Sequence, residues 1–415
     1  MTDTLTLDVD SIAAGGDGVA RHDGLVVFVP RTAPGDRVVA RVSQRGRMAR
    51  GVLERVSRAA SERIEPRCPH YEGDHCGGCQ LQHLSLGAQR EAKRRIIADA
   101  FRRIGKREVP APEIIAGDLA WRYRSKLTLA LRLEHGAWRG GLHAFDDPER
   151  VFALRDCLIA DERLVAAWRE IVAAGAHLPR TERLRGSARL LGDGTTIALV
   201  LEGAREWSAH EAFFAQVQSI GALWWIPEDG TRRLLHDRRG GAAGGEGGAS
   251  FAQVNSEMAP RLAAFVTESA MAHAPATVID AYAGTGDVAA ALARRGVRVT
   301  AIEFDAQATA VSAARLPHGS RAVAARVEDV LHRALPADVV VLNPPRAGVQ
   351  ARVTSLLEGE ARTRAILYVS CDPATLARDV ARLPSWKVER LTAFDLFPQT
   401  AHVETVCELV PGEGA

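Results

Sequence analysis

Asp280-Ala281-Tyr282-Ala283-Gly284-Thr285-Gly286-Asp287 follows a strand-like run at Thr277–Ile279 and opens a helical pattern at Val288–Arg294. Two glycines there let the backbone turn tightly and approach a ligand closely. A lone Gly-x-Gly occurs in many loops, so the flanking segments decide what this one means. Downstream, strand-like runs at Val297–Ile302, Arg321–Val327, Val339–Leu342 and Ile366–Val369 alternate with helix-like stretches. That rhythm predicts an α/β fold with a doubly wound parallel sheet. The second strand ends in Glu303, 23 residues after Asp280, where a carboxylate can accept both hydroxyls of a ribose. The third glycine of the dinucleotide fingerprint is missing, which argues against NAD.

The fourth strand ends in Asn343-Pro344-Pro345-Arg346. With these pieces the segment resembles motif I and its neighbours in class I S-adenosylmethionine (SAM) methyltransferases. The fifth strand runs into Tyr368-Val369-Ser370-Cys371-Asp372-Pro373. Cys371 therefore sits at the carboxyl end of a central strand, the edge where open α/β sheets bind ligands. A helix beginning around Thr375 is expected to lower its pKa. The alternative is a buried, inert cysteine. Near the end, Glu404 enters a closing strand, where it is either an outward-facing residue or a general base near Cys371. A methyltransferase has a use for both. Carbon 5 of uracil is a poor nucleophile until a thiolate adds to carbon 6. The C5 proton must then leave so that the thiolate can leave.

Cys68-Pro69-His70-Tyr71-Glu72-Gly73-Asp74-His75-Cys76-Gly77-Gly78-Cys79 places three cysteines in twelve residues. The glycines inside Cys-x-x-Cys permit a tight backbone and leave N–H groups to point at sulfur. Cys157 is the candidate fourth thiolate. Four thiolates suit zinc or an iron–sulfur cluster, and spacing alone does not separate them. His70, His75 and His83 complicate the ligand count. Cys407 is read as a packed strand residue.

The first ~60 residues read as short strands with glycine turns at Gly15–Gly18 and Asp23-Gly24, a small OB-like barrel. Between Arg31 and Arg58 eight arginines, Arg47 among them, face only Asp36 and Glu54, a local net charge of +6. Gln89–Arg107 repeats that balance in a helical pattern, with Ile96, Ile97, Ala100, Phe101 and Ile104 as its apolar stripe and a cationic outer face. Such segments suit phosphate contact or are solvated surface. The middle region looks mixed α/β, with Leu127, Leu129, Leu131 and Leu133 alternating. Arg239–Ser250 reads as a glycine-rich linker. The chain has 415 residues, 47% of them hydrophobic and 25% charged, so several globular domains are expected. Its net charge of +2 hides the two basic segments. Six cysteines are too few for a disulfide scaffold. No apolar run of about 20 residues predicts a membrane span, and the N-terminus lacks a secretory pattern. A reducing cytoplasm is expected.

The assembled motifs resemble the RNA uracil-5-methyltransferase family that carries an iron–sulfur cluster. The most specific are Asn-Pro-Pro-Arg-Ala-Gly (Asn343–Gly348), Ser-Cys-Asp-Pro-Ala-Thr (Ser370–Thr375) and Phe-Pro-x-Thr-Ala-His-x-Glu (Phe397–Glu404). Cys68 to His83 and Phe251-x-Gln253-Val254-Asn255 also match. The resemblance implies three domains: an RNA-binding TRAM barrel over 1–60, a cluster-bearing central domain over 61–250 and a SAM-dependent methyltransferase over 251–415. It implies Cys371 as nucleophile and Glu404 as proton acceptor. Gln253, Tyr282, Gly284, Glu303, Asp329 and Asn343 would line the SAM and target-base pocket. Cys68, Cys76, Cys79 and Cys157 would hold a [4Fe–4S] cluster, with zinc as the alternative. Asn343 stands where many members have Asp, and Asp372 where Asn is frequent; Asp372 would slightly oppose thiolate formation. The expected substrate is 23S rRNA, with the tRNA T-loop as alternative, and the expected state a monomer off the membrane. Competing readings are a non-catalytic RNA-binding protein, against which the Cys371/Glu404 pair argues, and a radical enzyme, whose cysteine spacing is absent.

Overall fold

The structure, a computed structural model, describes residues 2–46, 48–240, 253–360 and 362–412. Arg47, Phe251 and, from Gly241 on, the glycine-rich stretch lie outside the described residues.

Alternating apolar residues at the N-terminus close a barrel. Strands β1 (Thr2–Ile12), β2 (Gly18–His22), β3 (Leu25–Val29), β4 (Arg37–Arg45) and β5 (Met48–Arg58) join in the order β1-β2-β3-β5-β4. Leu7, Val9, Val27, Val29, Val38, Ala40 and Val42 fill its interior. The period of two turns the intervening Arg37 and Arg41 outward, and Arg50, Arg55 and Arg58 are exposed as well. Asp36, with no exposed surface, accepts N–H groups from Ala33 (2.6 Å) and Ala60 (2.9 Å) and from the Arg63 guanidinium (2.6 Å).

A short helix, α1 (Pro69–Glu72), lies in the cysteine-rich loop, and α2 (Leu86–Ala100) follows, its N-terminus capped by Ser85. The basic run folds as the expected helix, but two details differ. A π turn at Phe101–Gly105 inserts a residue into the turn and leaves Ile104 45% exposed. Lys93, counted with the cationic outer face, is wholly buried because Asp395 lies opposite it. After α2 comes β6 (Glu113–Ala116).

A second sheet contains β7 (Lys126–Glu134), β8 (Ala137–His143), β9 (Val151–Ala153), β10 (Arg183–Leu190), β11 (Ile197–Glu202), β12 (Ala222–Ile226) and β13 (Arg233–Asp237), ordered β13-β12-β11-β10-β7-β8-β9. Helices α3 (Glu162–Ala173) and α4 (His210–Gln216) supply apolar residues that pack with Leu127, Leu129, Leu131, Leu199 and Leu201. Lys126 and Arg132 alternate with those leucines and pair across to Arg189 and Arg183.

The third sheet follows α5 (Met258–Ala272). Its strands and helices run β14 (Thr277–Ala281), α6 (Asp287–Arg294), β15 (Arg298–Glu303), α7 (Ala306–Arg315), β16 (Arg321–Ala324), α8 (Val327–Ala334), β17 (Val339–Leu342), α9 (Ala351–Glu358), β18 (Ala365–Ser370), α10 (Pro373–Val380), β19 (Trp386–Asp395) and β20 (Glu404–Pro411). The order is β16-β15-β14-β17-β18-β20-β19-β6. Strands β16 to β18 are parallel, and β20 enters antiparallel to both neighbours. Every residue of β17 and β18 is buried, as expected of a sheet packed on both faces. Ile279, Val340, Leu342 and Ile366 pack on one side; Val278, Val339, Val341 and Leu367 pack on the other. The strand expected over Arg321–Val327 stops at Ala324, because Val327 instead starts α8 and enters the core.

The chain divides into two compact units: Met1–Glu65, Gln80–Gly117 and Glu257–Ala415 form one, and Pro66–Cys79 and Asp118–Ser256 form the other. No helix among the described residues is long and apolar enough to cross a membrane.

Replacing Arg63 by Met leaves the Asp36 carboxylate buried without its cation. The expected loss of unfolding free energy, read by denaturant titration, is about 3 kcal/mol. An unchanged midpoint would show that the ion pair does not hold the barrel together.

Candidate active site

Antiparallel pairing of β18 with β20 matches Ser370 to Thr405. The next residue beyond each is Cys371 and Glu404, which places them across from one another, where opposed Cβ atoms lie about 5 Å apart. Residues distant in sequence thus meet at the carboxyl end of the sheet. Glu404 is only 3% exposed. Burial pushes its carboxyl up to about 7, and the Arg346 guanidinium pulls the other way. Burial also raises the Cys371 thiol, and Glu404 adds to that rise. Arg346 counters both through its charge and a hydrogen bond to the sulfur. The expected lowering by the helix N-terminus is therefore not the net result: desolvation wins, and the opposing group is a side chain from another loop.

Asp372 caps α10, accepting the Thr375 N–H at 2.9 Å. The Arg346 loop is anchored by Asp379, which has no exposed surface. Asp379 accepts the Val349 N–H at 3.0 Å and the Tyr368 hydroxyl at 2.8 Å, and pairs with Arg378. Gly348, at φ 78°, is required there: a Cβ would stand 2.2 Å from the Asp379 carboxylate. Neither Arg346 nor Asp379 is singled out by sequence reading. The Asn-Pro-Pro-Arg motif was the available signal for Arg346; Asp379 has none.

The glycine loop after β14 lies in the same unit. Tyr282 (φ 61°), Gly284 (φ 55°) and Gly286 (φ 77°) are left-handed. Glu303 accepts the Gly284 N–H at 2.9 Å and the Asp305 N–H at 2.8 Å. A Cβ on Gly284 would meet open space, so the loop presents a bare backbone beside a carboxylate. Asp280 lies buried beneath, accepting the Ala289 N–H at 3.0 Å, its carboxyl raised to about 7 by burial. Tyr282 is half-buried, and burial raises its phenol, with Glu328 and Asp379 adding to the effect. Glu328, which accepts from Gln350 at 2.7 Å, faces this group, while its neighbour Asp329 is exposed on α8. Asn343 is exposed just past β17, its N–H bonded to Ala281. Gln253 belongs to the other unit and is half-buried.

The four cysteines Cys68, Cys76, Cys79 and Cys157 all lie in that second unit. Cys68 precedes α1, and the Gly78 N–H points at Cys76 Sγ at 3.4 Å. Burial raises the Cys157 thiol, Cys68 is near enough to add to that rise, and N–H groups of Ala160 and Ile159 point at its sulfur. A thiol set with amide donors suits an iron–sulfur cluster. Among the described residues, no group of three or more Cys, His, Asp or Glu is arranged to hold a metal ion. His70 uses both ring nitrogens, Nδ1 with Asp74 at 2.6 Å and Nε2 accepting the Arg155 N–H at 3.1 Å. His75 Nδ1 bonds Asp146 at 2.5 Å. His83 lies in the first unit beside Arg63, held neutral with a pKa of about 4 by burial and that charge.

A family model described as tRNA (Uracil-5-)-methyltransferase matches residues 314–410, and a TRAM domain model matches residues 3–48. The 23S rRNA (uracil(1939)-C(5))-methyltransferase RlmD of Chromohalobacter salexigens is 33% identical over 96% of this chain and 88% of its own. The chain belongs to the RNA uracil-C5 methyltransferase family. An uncharacterized RNA methyltransferase of Protochlamydia amoebophila is 28% identical over 99% of each chain. Among solved structures, the Pyrococcus abyssi tRNA (uracil-54, C5)-methyltransferase in complex with S-adenosyl-L-homocysteine shares the fold, with a TM-score of 0.68, 21% identity, and coverage of 98% of this chain and 100% of that one. Within this family fold, the TRAM domain is the closed barrel, and the methyltransferase domain is the eight-stranded sheet.

Burial of Glu404 has a sign that can be read in stability. An ordinary glutamate titrates at 4.5, and this one at about 7. Between those values the folded chain keeps a proton that the unfolded chain has lost, so stability falls as pH rises through that window. Glu404→Gln removes this slope. Above pH 7 the variant is expected to be more stable than the parent by on the order of 3 kcal/mol, and near pH 4.5 about equal. Parallel stability–pH curves for the two proteins would contradict the buried assignment.

Proposed function

We propose that the protein methylates carbon 5 of a uridine in RNA, with SAM as methyl donor. The observation that carries this reading is the cross-strand placement of Cys371 against Glu404, with Arg346 on the sulfur. Cys371 adds to C6 of the uracil, and the electrons move to C5. SAM supplies an electrophilic methyl group. C5 takes it as the methyl–sulfur bond breaks and S-adenosylhomocysteine leaves, giving an adduct that still carries the C5 proton. Glu404 accepts that proton, the C5–C6 double bond re-forms, and the thiolate leaves. Arg346 favours the thiolate and partly offsets the burial and the Glu404 charge that oppose it. The bare loop at Gly284 and the Glu303 carboxylate fit the donor's amino acid and ribose, with Tyr282, Asn343 and Asp329 as further pocket residues. The target base must leave its stack to reach Cys371.

RNA as partner is supported by the TRAM match and by surface charge. Arginines project from the barrel, and Lys126, Arg132, Arg183, Arg185 and Arg189 share one face of the central sheet. Burial lowers the Lys126 pKa, and the charges of Arg189 and Arg185 add to it, a crowding that a polyanion relieves. The substrate is 23S rRNA, a choice supported by the relative named for it at 33% identity. The tRNA T-loop is the second reading, favoured by the description of the matched family. Cys68, Cys76, Cys79 and Cys157 would hold a [4Fe–4S] cluster. Because uracil methylation is redox-neutral, its role would be structural or RNA-positioning. The protein acts as a cytoplasmic monomer.

Tritiated SAM offered with unmodified rRNA and tRNA separately should label 5-methyluridine in rRNA, and Cys371→Ala should abolish it. Label in tRNA alone would move the substrate to the second reading. Undiminished product from Cys371→Ala would end the mechanism. Turnover needs both Cys371 and Glu404 deprotonated, and burial holds the thiol above the carboxyl, so the rate should keep rising with pH above 7 until the thiol ionises. Arg346→Met should move that rise upward by roughly one pH unit; an unmoved profile would remove Arg346 from the site. For the cluster, protein purified without oxygen should contain four iron and four sulfide per chain. One zinc and no sulfide would reverse that assignment.

A further inference from the structure

The turn that delivers the chain to Glu404 is fastened by residues some three hundred positions away. Gln399, at its centre, has φ 71°. A side-chain residue stays in that left-handed region only where its surroundings hold it. Here they do. The Gln399 N–H donates to Gln89 Oε1 at 2.8 Å, and its side-chain oxygen accepts from Gln89 Nε2 at 3.0 Å. Its carbonyl accepts N–H groups from Gln80 (3.2 Å) and Leu81 (2.9 Å). The Ala401 N–H donates to Gln80 Oε1 at 3.3 Å. Lys93 Nζ donates to the Phe397 carbonyl at 3.0 Å and to Asp395 Oδ1 at 2.6 Å. Lys93, Gln89, Asp395 and Gln399 are all buried.

Burying an ammonium ion is costly, and a well-packed apolar group would often stabilise a fold as well or better. These polar bonds also converge on one short turn rather than spreading along α2. Direction, not bulk stability, is what such a network supplies. Glu404 is the first residue of β20, five residues past Gln399. Any swing of the turn rotates the start of that strand and carries the carboxylate away from Cys371. A displacement of about 1 Å can cost on the order of a hundredfold in rate.

We propose that Gln80, Gln89 and Lys93 are positioning residues for Glu404, holding the Phe397–Ala401 turn so that its carboxylate meets the C5 proton of the Cys371-bound base. The proposal rests on the reading of Glu404 as that base. Its signature is specific. A misplaced Glu404 leaves thiolate addition and methyl transfer intact but slows proton removal, so the C6–Sγ bond persists and methylated RNA stays attached to the protein.

The test uses the full chain, an unmodified 23S rRNA transcript and SAM, with Gln89→Leu and Lys93→Met as variants. Two rates are measured: single-turnover release of S-adenosylhomocysteine, and release of RNA from the denaturation-resistant complex. Folding is checked by circular dichroism and SAM binding by calorimetry. The expected result is near-normal methyl transfer, release slowed about tenfold or more, and accumulated adduct. If Lys93→Met does not fold, the neutral and nearly isosteric Gln89→Leu carries the test alone. Folded variants with the parent's release rate and adduct level would overturn the proposal. So would variants in which both rates fall together without adduct, the pattern of a general structural loss. Glu404→Gln runs alongside: adduct there, but not in the clasp variants, sinks only the positioning role. No adduct in Glu404→Gln sinks the base assignment and the proposal with it.

Discussion

Antiparallel pairing between β18 and β20 sets a buried carboxylate opposite a thiol, and the rest of the site answers the electrostatic difficulty this creates. Two groups that must both lose protons sit next to each other in a poorly solvated corner. Burial raises the pKa of both, and Glu404 adds to the rise at Cys371. One cation, Arg346, relieves both. Its loop is in turn tied through Val349 and Gly348 to Asp379 on α10, the helix that begins just after Cys371. The nucleophile and its counter-charge thus share a foundation.

The same constraint explains the C-terminal arrangement of the sheet. A purely parallel continuation would bring β20 to the site by its carboxyl end and separate Glu404 from Cys371. Insertion of β20 between β18 and β19 reverses that direction, so its first residue lands at the carboxyl edge of the parallel strands. The turn before it must then end in a defined place. Buried bonds from Gln80, Gln89 and Lys93 meet that need.

What was legible in the sequence was local. The glycine loop, Glu303 at the end of β15, and Cys371 at the end of β18 each follow from a strand ending in particular residues. The barrel followed from period-two alternation. What was not legible depended on partners far along the chain. Lys93 looked like one more charge on a basic helix, because its partner Asp395 lies 302 residues away. The Cys371 thiol looked activated by a helix terminus, since a sequence shows the helix but not the desolvation or the arginine from another loop. Asp372 looked like an unhelpful charge, and its task as the cap of α10 appears only with the Thr375 N–H in place. The three nearby histidines blurred the ligand count until His70 and His75 were seen bonded to Asp74 and Asp146, with His83 elsewhere.

The central claim is that Cys371 bonds to the uracil and that Glu404 takes only a proton from C5. A 23S rRNA transcript containing 5-fluorouridine tests it directly, because a carboxylate cannot remove fluorine from that carbon. After incubation with SAM and the unaltered protein, digestion and mass spectrometry should find the Cys371 peptide carrying a methylated fluorouridine nucleotide. An unmodified Cys371 peptide, or the nucleotide on a different residue, would contradict the account.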